Sequence, residues 1–398
     1  MDALTGDVIG DPNELSTNEG KRAEEDNYLQ EAANIDAALR SFSAVTQRAA
    51  KGGEGVERVT GQGLVFNPDP ITSLATALTD NSPAVAFEPA YNEVNLLELA
   101  KFNNVVRLEG PWVAITDFEP PNTIPSTTAD GVWTAKRGDN AFNDVMTYYH
   151  IDQSQRYIQS LGFTGIQARP IPADSDGMSG ADNSHYVGPP IDRIAFGHGC
   201  VDDNEDADVI LHEYGHAMTY HINPSWSGGD SRAIGEGFGD YWAETYSHST
   251  PNGASFQADR VFEWDGTCPW GGRSVNVTGV QYDPDKNYGA HEGIGNGVQS
   301  DELWSTPLFQ SFLELRGRDV PREEIDTIVL QSMFGLGAGF KMHDLAAAVV
   351  ATAKQLHPQG VHSGIFQAQF EKLNILGPDG SVPTWPGGVD AAGAAVKR

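Results

Sequence analysis

With 398 residues, 39% of them hydrophobic, the chain can bury a large core and fill two or three lobes, which excludes a disordered protein. A formal charge of −30 argues against nucleic acid and anionic membrane surfaces as partners, because neither offers counter-charge to an acidic coat. No run approaches the roughly 20 apolar residues of a membrane span, and Met1-Asp2-Ala3-Leu4-Thr5 lacks the basic and apolar regions that open a secretion signal.

In chain order, residues 1–20 are acidic and rich in Gly and Asn, and read as an extended arm. From Arg22 to Arg48 the apolar positions Leu29, Ala32, Ile35, Leu39, Phe42 and Val45 recur every three or four residues, which predicts an amphipathic helix. Residues 1–58 are therefore expected as an arm and helix, either the end of a propeptide or the first element of the mature protein. From 59 to 135 short β-like runs dominate: Gly63–Phe66, Asn104–Leu108 and Trp112–Thr116, the last two predicted to pair as a hairpin across Glu109-Gly110-Pro111. This segment is expected to form an N-terminal β lobe.

The segment 136–225 opens with a helix predicted over Asn140–Leu161, capped by Asp139 or Asn140, on which His150 reads as structural. Gly165–Arg169 and Ile191–Gly197 read as strands, with Asp182-Asn183-Ser184-His185-Tyr186 between them. Next comes Asp202-Asp203-Asn204-Glu205-Asp206-Ala207-Asp208, a carboxylate cluster that a helix N-terminus favours without any ligand and that could alternatively bind calcium. Cys200 and Cys268 are the only cysteines, too few for a Cys₄ zinc site. They read equally as one disulfide or as two free thiols.

The carboxylates lead into Asp208-Val209-Ile210-Leu211-His212-Glu213-Tyr214-Gly215-His216, an HExxH motif in a helical run. Imidazoles at i and i+4 lie on one helix face, so His212 and His216 can hold one metal ion while Glu213 leans over a water bound to it. The bland alternative is a pair of polar residues on an amphipathic helix. A catalytic zinc takes three protein ligands and keeps one position open. The pattern HExxHxxGxxH cannot supply the third, because Thr219 and Ile222 stand where it needs Gly and His. Beyond Tyr288, four helices are predicted, at about 298–317, 321–335, 342–356 and 363–375.

Twenty positions after His216 stands Glu236, in Ala233-Ile234-Gly235-Glu236-Gly237-Phe238-Gly239-Asp240. This spacing resembles the second signature of the glutamate-zincins, the thermolysin and fungalysin families in particular. The resemblance implies that Glu236 is the third zinc ligand and that Asp240 holds the free ring nitrogen of His212. Asp182–Tyr186 resembles the substrate-binding edge strand of those peptidases, which would give Asn183 and Ser184 a substrate-binding role, and a plain surface turn is the other reading. Tyr288-Gly289-Ala290-His291 resembles the segment carrying the oxyanion-stabilising His, and Gly272-Arg273-Ser274 the one whose Arg contacts the substrate carbonyl. The Tyr that shares oxyanion duty in thermolysin would fall at Ser227, leaving the role to His291 alone or to Tyr220 or Tyr288. The resemblance further implies an α+β fold, a thermolysin-like two-lobed zincin with a β-rich N-terminal half, a helical C-terminal lobe (226–398) and the active-site cleft between them. It implies a secreted endopeptidase acting on protein or peptide substrates, with Zn²⁺ as cofactor. The rivals are an exopeptidase or processing protease of narrow specificity, and a non-catalytic surface protein with a structural zinc site.

Overall fold

The computed structural model describes residues 56–268 and 270–383; the expected arm and the helix over Arg22–Arg48 lie outside them. The N-terminal half is built on two sheets. In the first, β1 (Glu57–Val65) and β2 (Asn92–Phe102) form a long antiparallel pair, flanked by β3 (Val105–Arg107) and β5 (Thr127–Thr128) on one side and by β6 (Val132–Trp133) on the other. The second has the order β4 (Val113–Ile115), β7 (Ile171–Asp174), β9 (Arg193–Phe196), β8 (Ser184–Val187), with only the β8–β9 pair antiparallel. β8 lies at an edge.

Two expectations are corrected, and one strand is added. Asn104–Leu108 and Trp112–Thr116 do turn back on each other, but only Glu109 and Ala114 bridge, because β3 pairs with β2 while β4 crosses to β7 in the other sheet. The segments 59–135 and 136–225 therefore share a sheet. Gly165–Arg169 is a turn in which Gln167 has φ 40°, and the strand begins two residues later at Ile171. The longest strand, β2, was not foreseen; Glu98, at φ 55°, interrupts its alternation where β1 and β2 slip in register.

The helices are α1 (Pro70–Leu74), α2 (Asn140–Ser160), α3 (Ala207–Ile222), α4 (Ser231–Ser247), α5 (Ser300–Arg316), α6 (Arg322–Ser332), α7 (Met342–Leu356) and α8 (His362–Lys372). The fold is thus α+β, β-rich first and helical afterwards. Asp139 caps α2 through Ala141 N, as expected, and His150 on it is buried with Nε2 3.0 Å from the Phe66 carbonyl. Helix α3 runs through the interior. Ile210, Leu211, Tyr214 and Met218 are fully buried, each stabilising the fold by about 1.5–3 kcal/mol. Cys200 and Cys268 form a disulfide.

A candidate metal and catalytic site between two antiparallel helices

Helix α3 starts where Asp206 accepts the Asp208 N–H (2.9 Å), a cap followed by a helical run that Asn223 and Pro224 end. Helix α4 packs antiparallel beside it. Along the facing sides, residues one turn apart meet in matched order: Asp208 opposite Glu244, His212 opposite Asp240, His216 opposite Glu236. The helices approach closely because glycines face each other. A Cβ on Gly215 would lie 3.0 Å from Gly239 Cα, and one on Gly239 only 2.6 Å from His212 Nδ1.

At one end of this ladder three candidate ligands converge. His212 Nε2 lies 3.0 Å from His216 Nε2 and 3.1 Å from Glu236 Oε2, and His216 Nε2 lies 3.5 Å from that oxygen. Ligands at about 2.0–2.1 Å around a tetrahedral zinc stand about 3.3 Å apart, so the three atoms match the donor triangle of such an ion. All three residues are buried, and Glu236 Oε1 has no hydrogen-bond partner among the described residues. Two Nε2 atoms facing each other at hydrogen-bond distance, with a carboxylate oxygen, are better satisfied by a cation than by one shared proton. The residues present therefore fit zinc.

The electrostatics follow from the same contacts. Burial works to lower the pKa of His212, but its hydrogen bonds to Asp240 (3.0 Å) and Glu236 outweigh it and raise the pKa to about 9. For His216 burial prevails and the pKa is lowered. Burial would raise Glu236, yet the neighbouring histidines hold it well below the usual range. Glu213, the residue after His212, is fully buried, and neither carboxylate oxygen has a hydrogen-bond partner among the described residues.

His291 is brought to the same place. Its Nε2 lies 3.5 Å from Glu236 Oε2, although its backbone has φ 52°, in the left-handed region that costs a non-glycine residue about 1–2 kcal/mol. Asp301, at the start of α5, holds it there by accepting from the backbone N–H (2.9 Å) and contacting Nδ1 (2.5 Å). Burial opposes protonation of this ring, but Asp301 and Glu236 prevail and its pKa is raised. Arg273 is buried, its Nη1 2.9 Å from Asp240 Oδ1 and its guanidinium stacked on Phe262. Asn183 lines a pocket beside Arg273, while the Ser184 hydroxyl is buried and donates to Asp203 Oδ2 (2.5 Å). Of the tyrosines considered for the oxyanion, Tyr288 has its hydroxyl engaged by Asp283 N and Tyr220 packs against Gly188.

No protein-family model matches the chain, and no curated protein matches it. Among solved structures it is similar to the precursor of protealysin, a metalloproteinase from Serratia proteamaculans, at 14% identity, covering 66% of this chain and 86% of that chain with a TM-score of 0.49. A likeness of that size assigns neither fold nor function.

Several residues of the site escape a reading of the sequence. Asp301 lies ten residues beyond His291, a separation with no helical meaning. Asp208, Glu244 and Glu263 form a second buried group whose oxygens lie within 4.8 Å of one another. Glu244 could have been found, because it continues the i, i+4, i+8 series of Glu236 and Asp240, whereas Glu263 arrives on a loop.

Proposed function

We propose that the chain is a secreted zinc metallopeptidase of the glutamate-zincin kind, cleaving peptide bonds within an extended substrate held between its β-rich and helical halves. The observation that carries this reading is the convergence of His212 Nε2, His216 Nε2 and Glu236 Oε2 beside Glu213, whose carboxylate has no partner among the described residues. A bound Zn²⁺ polarises a carbonyl and acidifies a water. Glu213 accepts a proton at a carboxylate oxygen and returns it to the departing amide nitrogen. His291, its Nδ1 held on Asp301, donates from Nε2 to the carbonyl oxygen as that oxygen gains charge. Asp240 fixes the ring of His212 so that Nε2 faces inward. The β8 edge, entered through Asn183 and Ser184, hydrogen-bonds the peptide backbone, and Arg273 sits beside it as a further substrate contact. We assign the group Asp208, Glu244 and Glu263 to calcium, supported by its all-oxygen donors and by the unpartnered Oε2 atoms of Glu244 and Glu263.

The test is metal content by mass spectrometry, with hydrolysis of an unstructured protein measured with and without a chelator. Close to one zinc is expected, lost in Glu236→Ala. Glu213→Gln is expected to keep zinc and lose about 10²- to 10⁴-fold in turnover. Zinc bound by a wild-type protein that hydrolyses nothing would leave the structural-zinc reading standing, wild-type turnover in Glu213→Gln would refute the role given to Glu213, and release of terminal residues alone would favour an exopeptidase.

A further inference from the structure

Next to the zinc-type site lies a small, open-mouthed pocket whose carboxylates the mechanism above does not use. Asp182, Asp203 and Asp265 line it together with Val209, Phe262 and Trp270. The three carboxylates each place an oxygen within 4.8 Å of the others. Asp203 and Asp265 are more than nine-tenths buried, and Oδ1 of each has no hydrogen-bond partner among the described residues. The second oxygens are engaged, Asp203 Oδ2 by Ser184 Oγ and Asp265 Oδ2 by Trp270 Nε1 (2.9 Å). The arrangement is built from several directions. The disulfide joins Cys200, three residues before Asp203, to Cys268, three after Asp265, and Asp206 Oδ2 accepts from the backbone N–H of Asp265 (3.1 Å).

The pocket adjoins the reacting centre. Val209 is one turn before His212, the Phe262 ring lies 5.4 Å from the His212 ring, and Arg273, which also lines the pocket, contacts Asp240. Burial and mutual repulsion push Asp203 well above the usual carboxylate range, with the charge of Glu213 contributing, and raise Asp265 to about 7. A cation seated among the three carboxylates would relieve that burial and repulsion; Arg273, on the same pocket, is paired with Asp240.

We propose that this pocket binds the basic side chain, lysine or arginine, of the substrate residue next to the scissile bond, so that the enzyme cleaves beside basic residues. The proposal rests on the metallopeptidase reading. A lysine ammonium carries three donors for three carboxylates, while its stem runs along Val209, Phe262 and Trp270. A guanidinium would in addition face the Trp270 ring. Calcium is the competing occupant of three carboxylates, and the test separates the two.

The test uses quenched fluorescent peptides that differ at one position on either side of a single bond, carrying Lys, Arg, Leu or Glu, with products mapped by mass spectrometry. Wild type is expected to favour Lys or Arg over Leu at one position by at least about 10-fold in kcat/KM. Asp265→Asn, Asp203→Asn and the more exposed Asp182→Asn are each expected to shrink that ratio, so the idea survives if one of them misfolds. A Leu preference, or a ratio unmoved in every folded variant, overturns it. A second measurement separates this from failure of the peptidase reading. By calorimetry, the Glu213→Gln protein should bind Nα-acetyl-lysine methylamide at least about 10-fold more tightly than the norleucine analogue, which lacks the ammonium. If no peptide is cleaved, the peptidase reading falls and this binding ratio alone decides the pocket. A calcium ion abolished by Asp265→Asn, with no lysine discrimination, overturns the proposal.

Discussion

Replacing Gly239 by alanine separates the fold from the metal site. On an ordinary helix surface the change would stabilise by up to about 1 kcal/mol through propensity. Here the new Cβ would stand 2.6 Å from His212 Nδ1 and 2.9 Å from its Cε1, against ordinary carbon contacts of about 3.5 Å. The ring must therefore retreat by about 1 Å, several times the roughly 0.2 Å tolerance of a metal–ligand distance. It would also leave Asp240, to which that Nδ1 is bonded at 3.0 Å. Zinc affinity is expected to fall at least about 10- to 100-fold, the usual cost of losing such an orienting partner. Overpacking is expected to cost the metal-free fold about 1–3 kcal/mol. Chelator competition reads the first quantity and chemical unfolding of metal-free protein the second. Wild-type zinc affinity in a folded Gly239→Ala protein would refute the claim that helix contact at this glycine sets the position of His212.

Two further outcomes are expected. Burial lowers the pKa of His150 to about 4 from its ordinary 6.5, so the ring is neutral in the fold; the stability it supports is whole above about pH 6.5 and is lost as the pH falls through about 4, some 3 kcal/mol in all. Denaturant unfolding at pH 7 and pH 4 should show a smaller acid loss in His150→Gln than in wild type, and equal losses would mean the ring is already charged. Calcium should raise the unfolding midpoint of wild type but not of Glu244→Gln. A ligand at about a hundred times its Kd adds about 2.7 kcal/mol, and an equal rise in both proteins would place calcium elsewhere.

Helix-borne parts of the site were legible because a helix converts spacing into direction. His212, His216, Glu236 and Asp240 all lie at one-turn intervals, and the structure brings the four together. The C-terminal helices were legible for the same reason, from Gly and Pro at their ends. What arrives on loops was not. Glu263 and Asp265 reach their partners through turns whose geometry no periodicity encodes, and Asp301, on the first turn of α5, meets a His291 that a loop brings to it. Asp203 reads in sequence as part of a carboxylate cluster that a helix start favours without any ligand, yet it is buried with Oδ1 unpartnered among the described residues. The sheets failed differently: β4 carries the pattern of a hairpin strand, but its choice of β7 as neighbour is a matter of long-range packing.

The matched order along α3 and α4 also separates two kinds of length change. The chain between the helices passes through exposed residues at 224, 225, 227 and 228, and an added residue there leaves the pairing of His216 with Glu236 untouched. One residue added inside α4, between Glu236 and Asp240, turns everything beyond it by about 100°, so that Asp240 and Glu244 leave His212 and Asp208 together. The twenty-residue interval that makes the motif recognisable is thus a property of the loop and free to drift, while the four-residue intervals on either side are fixed by helical phase.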